Sequence, residues 1–237
     1  VGAGRLPDPE QIVESVGNCL VPKDFNGRRI LVTAGPTREP MDPVRYVSNP
    51  SSGKMGYAIA RAAAARGADV VMIAGPTVLP DPAGVRIIKV GTASEMAAAV
   101  FDEMASADII IKVAAVSDYR PVEVASQKIK KQSDELVVRM EKTEDILETL
   151  GKKKQNQVLV GFAAETEDLE NNAVDKMKRK NLDMIVGNLI GAPGSGFESD
   201  TNQMKIFFKD GSVEDVPMMD KIDAAHLLLD KIRALCA

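Results

Sequence analysis

The stretch "SNPSSGKMG", Ser48 to Gly56, sets two adjacent hydroxyls, Ser51 and Ser52, and then Gly53 directly ahead of an alanine-rich helical pattern that begins near Lys54. Hydroxyls beside the unpaired N–H groups of a helix start make a seat for an anion. Just upstream, "TAGPTREP" turns the chain at Gly35 and Pro36, where an apolar run ends. The same residues also suit a structural role, with Ser52 as a helix N-cap and Gly53 and Gly56 letting helix and strand pack closely. Neither common phosphate motif is present. A Walker A loop needs glycine where Ser48 stands and serine or threonine at Met55, and the G-x-G-x-x-G fingerprint fails because Gly35 is followed by Pro36 and Thr37. An ordinary P-loop or NAD site is thereby disfavoured.

Other groups recur at the ends of apolar runs. In "KVAAVSDYRP", Asp118 follows small side chains, so a ligand can lie against backbone while the carboxylate meets a polar group or a metal-bound phosphate. An Asp-capped turn ahead of Pro121 is the structural alternative. "ASQKIKKQSDEL" carries Lys128, Lys130 and Lys131, either solvating charges or a mobile cover that neutralises a triphosphate as a bond breaks. Phe162 in "VGFAAETED" offers a flat wall for a base or a core aromatic, with Glu165 and Glu167 suited to a helix start. Lys176 and Lys180, four apart, share a helix face and can reach one anion, although they equally suit the negative end of a helix dipole. Asn188 ends the next run, ahead of a long glycine-containing loop. His226 is the sole histidine, set among leucines, and Cys19 and Cys236 lie in a linker and at the chain's end, which argues against a Ser-His-Asp triad or a histidine-rich metal site.

Positioning these groups requires strands that end at one rim. Apolar runs at 29–34, 69–74, 108–114, 158–163 and 183–186 have the length of strands covered on both faces, and helical patterns fill 55–66, 94–105, 143–152 and 167–180. This alternation predicts an α/β fold, a Rossmann-like, mostly parallel sheet with helices on both faces. "QMKIFFKDGSVEDVP" reads as a C-terminal antiparallel hairpin turning at Asp210 and Gly211, followed by a closing helix. Such sheets bind ligands beyond the carboxyl ends of their strands, and the roughly twenty weakly periodic residues after Gly35 read as a binding loop. Residues 1–27, with a short helical piece at 9–16, read as a linker left from a larger protein, and 28–237 as the functional domain. A net charge of −4 argues against a general nucleic-acid binder. With no apolar run of 18 residues or more, no secretion signal and two cysteines, neither membrane nor export is expected, and the cytoplasm is the default setting.

Taken together, "LVTAGPTREPMDPVRYVSNPSSGKMGYAIA", "AAVSDYRP", "KIKK", "VGFAAET" and "KNLDMIVGN" closely resemble bacterial phosphopantothenate-cysteine ligase, from about residue 28 to 233. The opening "GAGRLPDPEQI" resembles the tail of the flavin-dependent decarboxylase domain that precedes this ligase in the bifunctional bacterial protein, so the resemblance implies an N-terminal decarboxylase partner and no FMN in this fragment. It further implies CTP and Mg2+, with 4'-phosphopantothenate and L-cysteine as substrates, an acyl-cytidylate intermediate, and a homodimer. By the same resemblance Asn49 and Lys128 are the catalytic positions. Asp118, Phe162, Lys176 and Lys180 correspond to nucleotide contacts, with the backbone of Lys112, Val113 and Ala114 in the same pocket. Gly35, Ser51, Ser52 and Gly53 fall in the phosphate loop, and Glu144, Asp145, Ile146 and Leu147 in or beside the segment whose backbone reads cytosine. No metal ligand is assigned. The chain departs from the family at Thr143-Glu144, where N-P is common, and at Pro50, Lys112, Ser117 and the "GNLI" segment, changes that bear on nucleotide preference more than on reaction class. The alternative reading is a non-catalytic nucleotide- or pantothenate-binding module.

Overall fold

The computed structural model describes residues 4, 6, 9–130, 135–165, 169–189 and 199–236. The first half of the chain runs α1 (Pro9–Leu20), β1 (Arg29–Ala34), β2 (Arg38–Pro40), β3 (Tyr46–Ser48), α2 (Lys54–Ala65), β4 (Asp69–Ala74), β5 (Val85–Lys89) and α3 (Ala93–Met104). The second half runs β6 (Ile109–Lys112), β7 (Tyr119–Pro121), β8 (Met140–Lys142), α4 (Ile146–Lys153), β9 (Val158–Glu165), α5 (Leu169–Arg179), β10 (Met184–Leu189), β11 (Thr201–Phe208), β12 (Val213–Asp220) and α6 (Lys221–Leu235).

Eight strands form one sheet in the order β12-β11-β10-β9-β6-β1-β4-β5. The pairs from β5 to β10 are parallel, and β11 and β12 close the other edge antiparallel, as expected from the sequence. The central strands are buried on both faces because they carry unbroken runs such as Ile109, Ile110 and Ile111. One face packs on α2 and α6 through residues such as Ile59, Leu228 and Ile232. The other packs on α3, α4 and α5 through Met96, Leu150 and Met177.

The structure departs from the sequence reading at the periphery. The edge strand β5 is half exposed and carries no clean apolar run, which is why its periodicity is weak. The first helix continues to Leu20, placing Cys19 in a helix. Phe25 is buried and stacks under the Arg66 guanidinium, which also pairs with Asp24, so core packing reaches upstream of residue 28. The segment after Gly35 is built rather than loose: β2 and β3 pair as a hairpin, and buried Glu39 accepts a hydrogen bond from Ala93 N at 2.9 Å. Lys131, Glu167 and residues 190–198 lie outside the described residues.

Two strand ends touch without side chains between them. A Cβ on Gly75, at the end of β4, would stand 1.8 Å from the Pro36 carbonyl oxygen, and one on Gly56 would stand 2.6 Å from the Ala34 Cβ. Gly75→Ala must therefore push back the turn after β1, and we expect a loss of about 1–3 kcal/mol of stability, read by urea denaturation. A stability equal to that of the parent would show that the turn yields freely.

Candidate functional site

A cavity of about 850 Å3 opens at the carboxyl ends of β1, β6, β9 and β10. The chain leaves β1 for β4 on one side and later returns to β6 on the other, so this is the point at which strand order reverses and the loops diverge.

The helix α2 begins at this cavity in an unusual way. Its N-cap is Gly53, held at φ 79°, with no side-chain cap and no acidic residue in the first turn. Only glycine adopts this left-handed turn without strain, and a Cβ on either Gly53 or Gly35 would meet Thr77 Cγ2 at 2.8 Å. The cap position thus falls one residue later than a Ser52 cap would place it. Ser52 Oγ reaches Lys54 N only at 3.5 Å, and Ser51 Oγ reaches Gly53 N at 3.3 Å. Gly35, Ser51 and Gly53 line the cavity, and Ser52 does not. Asn49 follows β3 directly and also lines it, with its Nδ2 donating to the Val116 carbonyl at 3.0 Å. Ser48 Oγ donates to the Thr37 carbonyl at 2.7 Å, which fixes the end of the hairpin beside β6.

The opposite wall comes from β6, β9, α4 and α5. Thr33 Oγ1 accepts from the backbone N–H groups of both Val113 and Ala114 at 3.1 Å, and Lys112 Nζ donates to the Ala114 carbonyl at 2.9 Å. Thr143 ties the next loop in, donating from its N–H to the Asp118 carbonyl and from its hydroxyl to the Ser117 carbonyl. Asp118 is exposed at the rim. Asp145 caps α4, its carboxylate accepting from Glu148 N at 3.0 Å and from Lys180 Nζ at 2.5 Å. Burial opposes its charge, but the Lys180 bond and the capped amide outweigh that and hold its carboxyl below the usual range. Glu144, Ile146 and Leu147 also line the cavity, the last two buried in the core beneath it. Phe162 is half-buried, and Lys176 Nζ donates to its carbonyl at 3.2 Å. Lys180 is buried.

Lys128 is the exception among the expected catalytic positions, since it is exposed and does not line the cavity. Its neighbour Ile129 is tied elsewhere: the N–H donates to Asp42 Oδ2 at 3.1 Å, and the carbonyl accepts from Arg45 at 2.9 Å. Sequence reasoning also passed over Lys54, Asn202 and Lys221, which line the cavity at the ends of elements far apart in the chain. Asn202 had a legible signal, an amide in an alternating strand where Met204 and Ile206 occupy the same face. Among the described residues no group of three or more histidine, cysteine, aspartate or glutamate side chains is arranged to hold a metal, and no helix is long and apolar enough to cross a membrane. His226 is half-buried in α6 and lies outside the cavity lining.

A mostly parallel sheet with helices on both faces and a cavity at its strand ends, where a helix start and several lysines meet, defines a Rossmann-like α/β protein. More particularly, the chain belongs to the DNA/pantothenate metabolism flavoprotein C-terminal domain family, whose model matches residues 25–235. It is 46% identical over 239 residues to the coenzyme A biosynthesis bifunctional protein CoaBC of Bacillus subtilis, covering 99% of this chain and 59% of the relative. It is 47% identical over 237 residues to the corresponding protein of Escherichia coli K12, covering 98% of this chain and 58% of that one. The chain therefore spans somewhat more than half the length of these relatives. The crystal structure of the C-terminal domain of a CoaBC protein superposes with a TM-score of 0.78 at 42% identity, covering 90% of this chain and 97% of that one.

The electrostatics of the cavity can be tested directly. Burial, and then the ammonium groups of Lys176 and Lys180, push the Lys112 pKa down from 10.5 to about 8. The folded protein therefore disfavours charged Lys112. That penalty is fully present below pH 8 and is relieved as pH rises from about 8 towards the unfolded value of 10.5. We expect a side-chain NMR titration to place the Lys112 midpoint near pH 8, and anionic ligands to bind more weakly as pH passes through it. A midpoint close to 10.5 would contradict the burial of this ammonium near Lys176 and Lys180.

Proposed function

We propose that the chain is a CTP-dependent ligase joining 4'-phosphopantothenate to L-cysteine, with 4'-phosphopantothenoylcysteine, CMP and pyrophosphate as products. The supporting observation is the convergence, in one cavity, of Asn49, the uncapped start of α2 at Gly53, and Lys112, Lys176 and Lys180. The names of the relatives place those proteins in coenzyme A biosynthesis, which agrees with this reading.

In the first step a carboxylate oxygen of 4'-phosphopantothenate bonds to the α-phosphorus of CTP. The bond from that phosphorus to the β-phosphate oxygen breaks, and pyrophosphate leaves with the electron pair. In the second step the cysteine amine attacks the acyl carbon and loses a proton, and CMP leaves with the carbon–oxygen pair. The backbone N–H groups of the first turn of α2, at Met55 and Gly56, suit a phosphate, and the Asn49 amide suits oxygen charge developing at the acyl-phosphate. Asp118, Phe162 and the Glu144–Leu147 segment suit the nucleoside, with Lys176 and Lys180 beside it as counter-charges. The proposed role of Lys128 in the first step requires its segment to approach the nucleotide, since it stands outside the lining.

Magnesium, bound chiefly through the triphosphate, would shield that charge and polarise the α-phosphate. The side-chain oxygen of Asn188 and the amide of Asn202 are buried without partners among the described residues, and two amide oxygens suit the water shell that Mg2+ tends to retain. Residues 1–27 fit a connection to a preceding flavin-dependent decarboxylase domain, anchored here through Asp24 and Phe25. A homodimer in a reducing cytoplasm completes the reading, and the two free cysteines agree with that setting.

The discriminating assay supplies Mg2+ and 4'-phosphopantothenate, without cysteine, and compares CTP, ATP, GTP and UTP. Pyrophosphate should appear with CTP and depend on the acid; amide formation without any nucleotide would refute the ligase reading. In Asn49→Asp the acyl-cytidylate should accumulate while product forms at least tenfold more slowly. An unchanged second step would reject the role given to Asn49.

A further inference from the structure

One end of the cavity is built against its own stability. On the sheet face covered by α2 and α6, β10 presents Met184 and Val186 to the core, and β11 presents Ile206 and Met204. Alternation along each strand then brings Asn188 and Asn202 to that same face at the cavity. Asn202 is 1% exposed, and neither its Nδ2 nor its Oδ1 has a partner among the described residues; Asn188 Oδ1 is likewise buried and unpaired. Beside Asn202 the register shifts, Asn202 pairing with Met219 and Met204 with Val216, so β12 carries an extra residue there.

Two lysines close this recess, each the first residue of a helix. Lys54 opens α2 and Lys221 opens α6, and neither helix has a side-chain N-cap bond. A cation at a helix N-terminus meets the positive end of the dipole, the arrangement that stability disfavours. Lys221 is 7% exposed and donates to the Ser199 carbonyl, while Lys54 pairs with exposed Asp200 at 2.6 Å. Burial, and then the charge of Lys54, hold the Lys221 pKa below its ordinary value. Asn202 Nδ2 and the two lysines are donors at one recess, and a hydrated metal–phosphate ligand supplies acceptors for them and, through its bound water, donors for the unpaired Oδ1 atoms of Asn188 and Asn202.

We propose that Asn188, Asn202, Lys54 and Lys221 form a phosphate-binding recess that seats the terminal phosphates of the nucleotide, the group that departs as pyrophosphate. This rests on the ligase reading above. In-line displacement puts the attacking carboxylate and the leaving oxygen on opposite sides of the α-phosphorus. Asn49 is bonded to the segment after β6, whereas the recess lies at β10 and β11, beyond β9 in the sheet. Asn49 and the recess thus lie at different strand ends of the same cavity, which leaves room for the attacking and leaving groups to take opposite sides. The phosphate of the acid substrate has the same chemistry and is the competing occupant.

The test titrates the parent chain, Asn202→Leu and Lys221→Met with inorganic pyrophosphate, CTP, CMP and 4'-phosphopantothenate in Mg2+ by calorimetry. Both variants should bind pyrophosphate and CTP at least tenfold more weakly and CMP as the parent does. Asn202→Leu should also melt no lower than the parent, because replacing an unpaired buried amide by an apolar group of similar size removes a desolvation penalty. Equal pyrophosphate and CTP affinities in parent and variants would overturn the recess and leave the ligase reading intact. A loss confined to 4'-phosphopantothenate would reassign the recess to the acid. A markedly lower melting temperature for Asn202→Leu would show the amide to be structural. Failure of the parent itself to bind CTP would remove the ligase reading and this inference with it.

Discussion

The site depends on backbone meeting backbone where β1 and β4 end. Gly35, Gly53 and Gly75 leave no room for a Cβ: the first two press on Thr77, and the third on the Pro36 carbonyl. This contact brings the turn after β1 against the first turn of α2, and the left-handed Gly53 starts that turn at the cavity. Thr77 is itself held by the Tyr57 hydroxyl at 2.9 Å, so the helix supports the turn that begins it. Close packing makes this arrangement hard to deform, which is what an anion seat of fixed geometry requires.

The charge distribution follows from the same construction. The chain carries a net charge of −4, yet Lys54, Lys112, Lys176, Lys180 and Lys221 all line one cavity. Asp145 offsets Lys180 directly and Asp200 offsets Lys54, while Lys112 and Lys221 are each pushed towards neutrality by burial and by neighbouring lysines. An assembly that depresses its own lysines gains most from a ligand with several negative oxygens. That matches a triphosphate better than a single carboxylate, and it makes ligand affinity and protein stability respond to pH through the same residues.

Away from the cavity, the Asp42 carboxylate organises the β2–β3 hairpin. It accepts from the backbone of Val44, Arg45 and Ile129 and from the Arg45 side chain, a set of donors headed by Arg45 that holds its carboxyl well below the usual range. The hairpin and the segment bearing Lys128 are thus tied together by hydrogen bonds. Asn49 follows the second strand of this hairpin directly, so the two positions that the family resemblance makes catalytic attach to one local structure.

Much of this was legible in the residues. Unbroken apolar runs specify central strands because only strands covered on both faces tolerate them, and Asp210-Gly211 specifies a hairpin because of its turn chemistry. Glycines, hydroxyls and lysines at strand ends pointed to phosphate through local chemistry alone. The half-exposed strand β5 escaped notice because an edge strand needs no apolar run, and the β2–β3 hairpin because its order comes from Glu39 and Asp42 reaching distant amides. By itself, then, the sequence determined the alternation of strands and helices, the strand-end motifs and the family. Only the tertiary structure decided that Lys54, Asn188, Asn202 and Lys221 line one cavity and that Lys128 stands outside it. Proximity between residues more than a hundred positions apart is set by sheet order and helix packing, and neither is written in any local pattern.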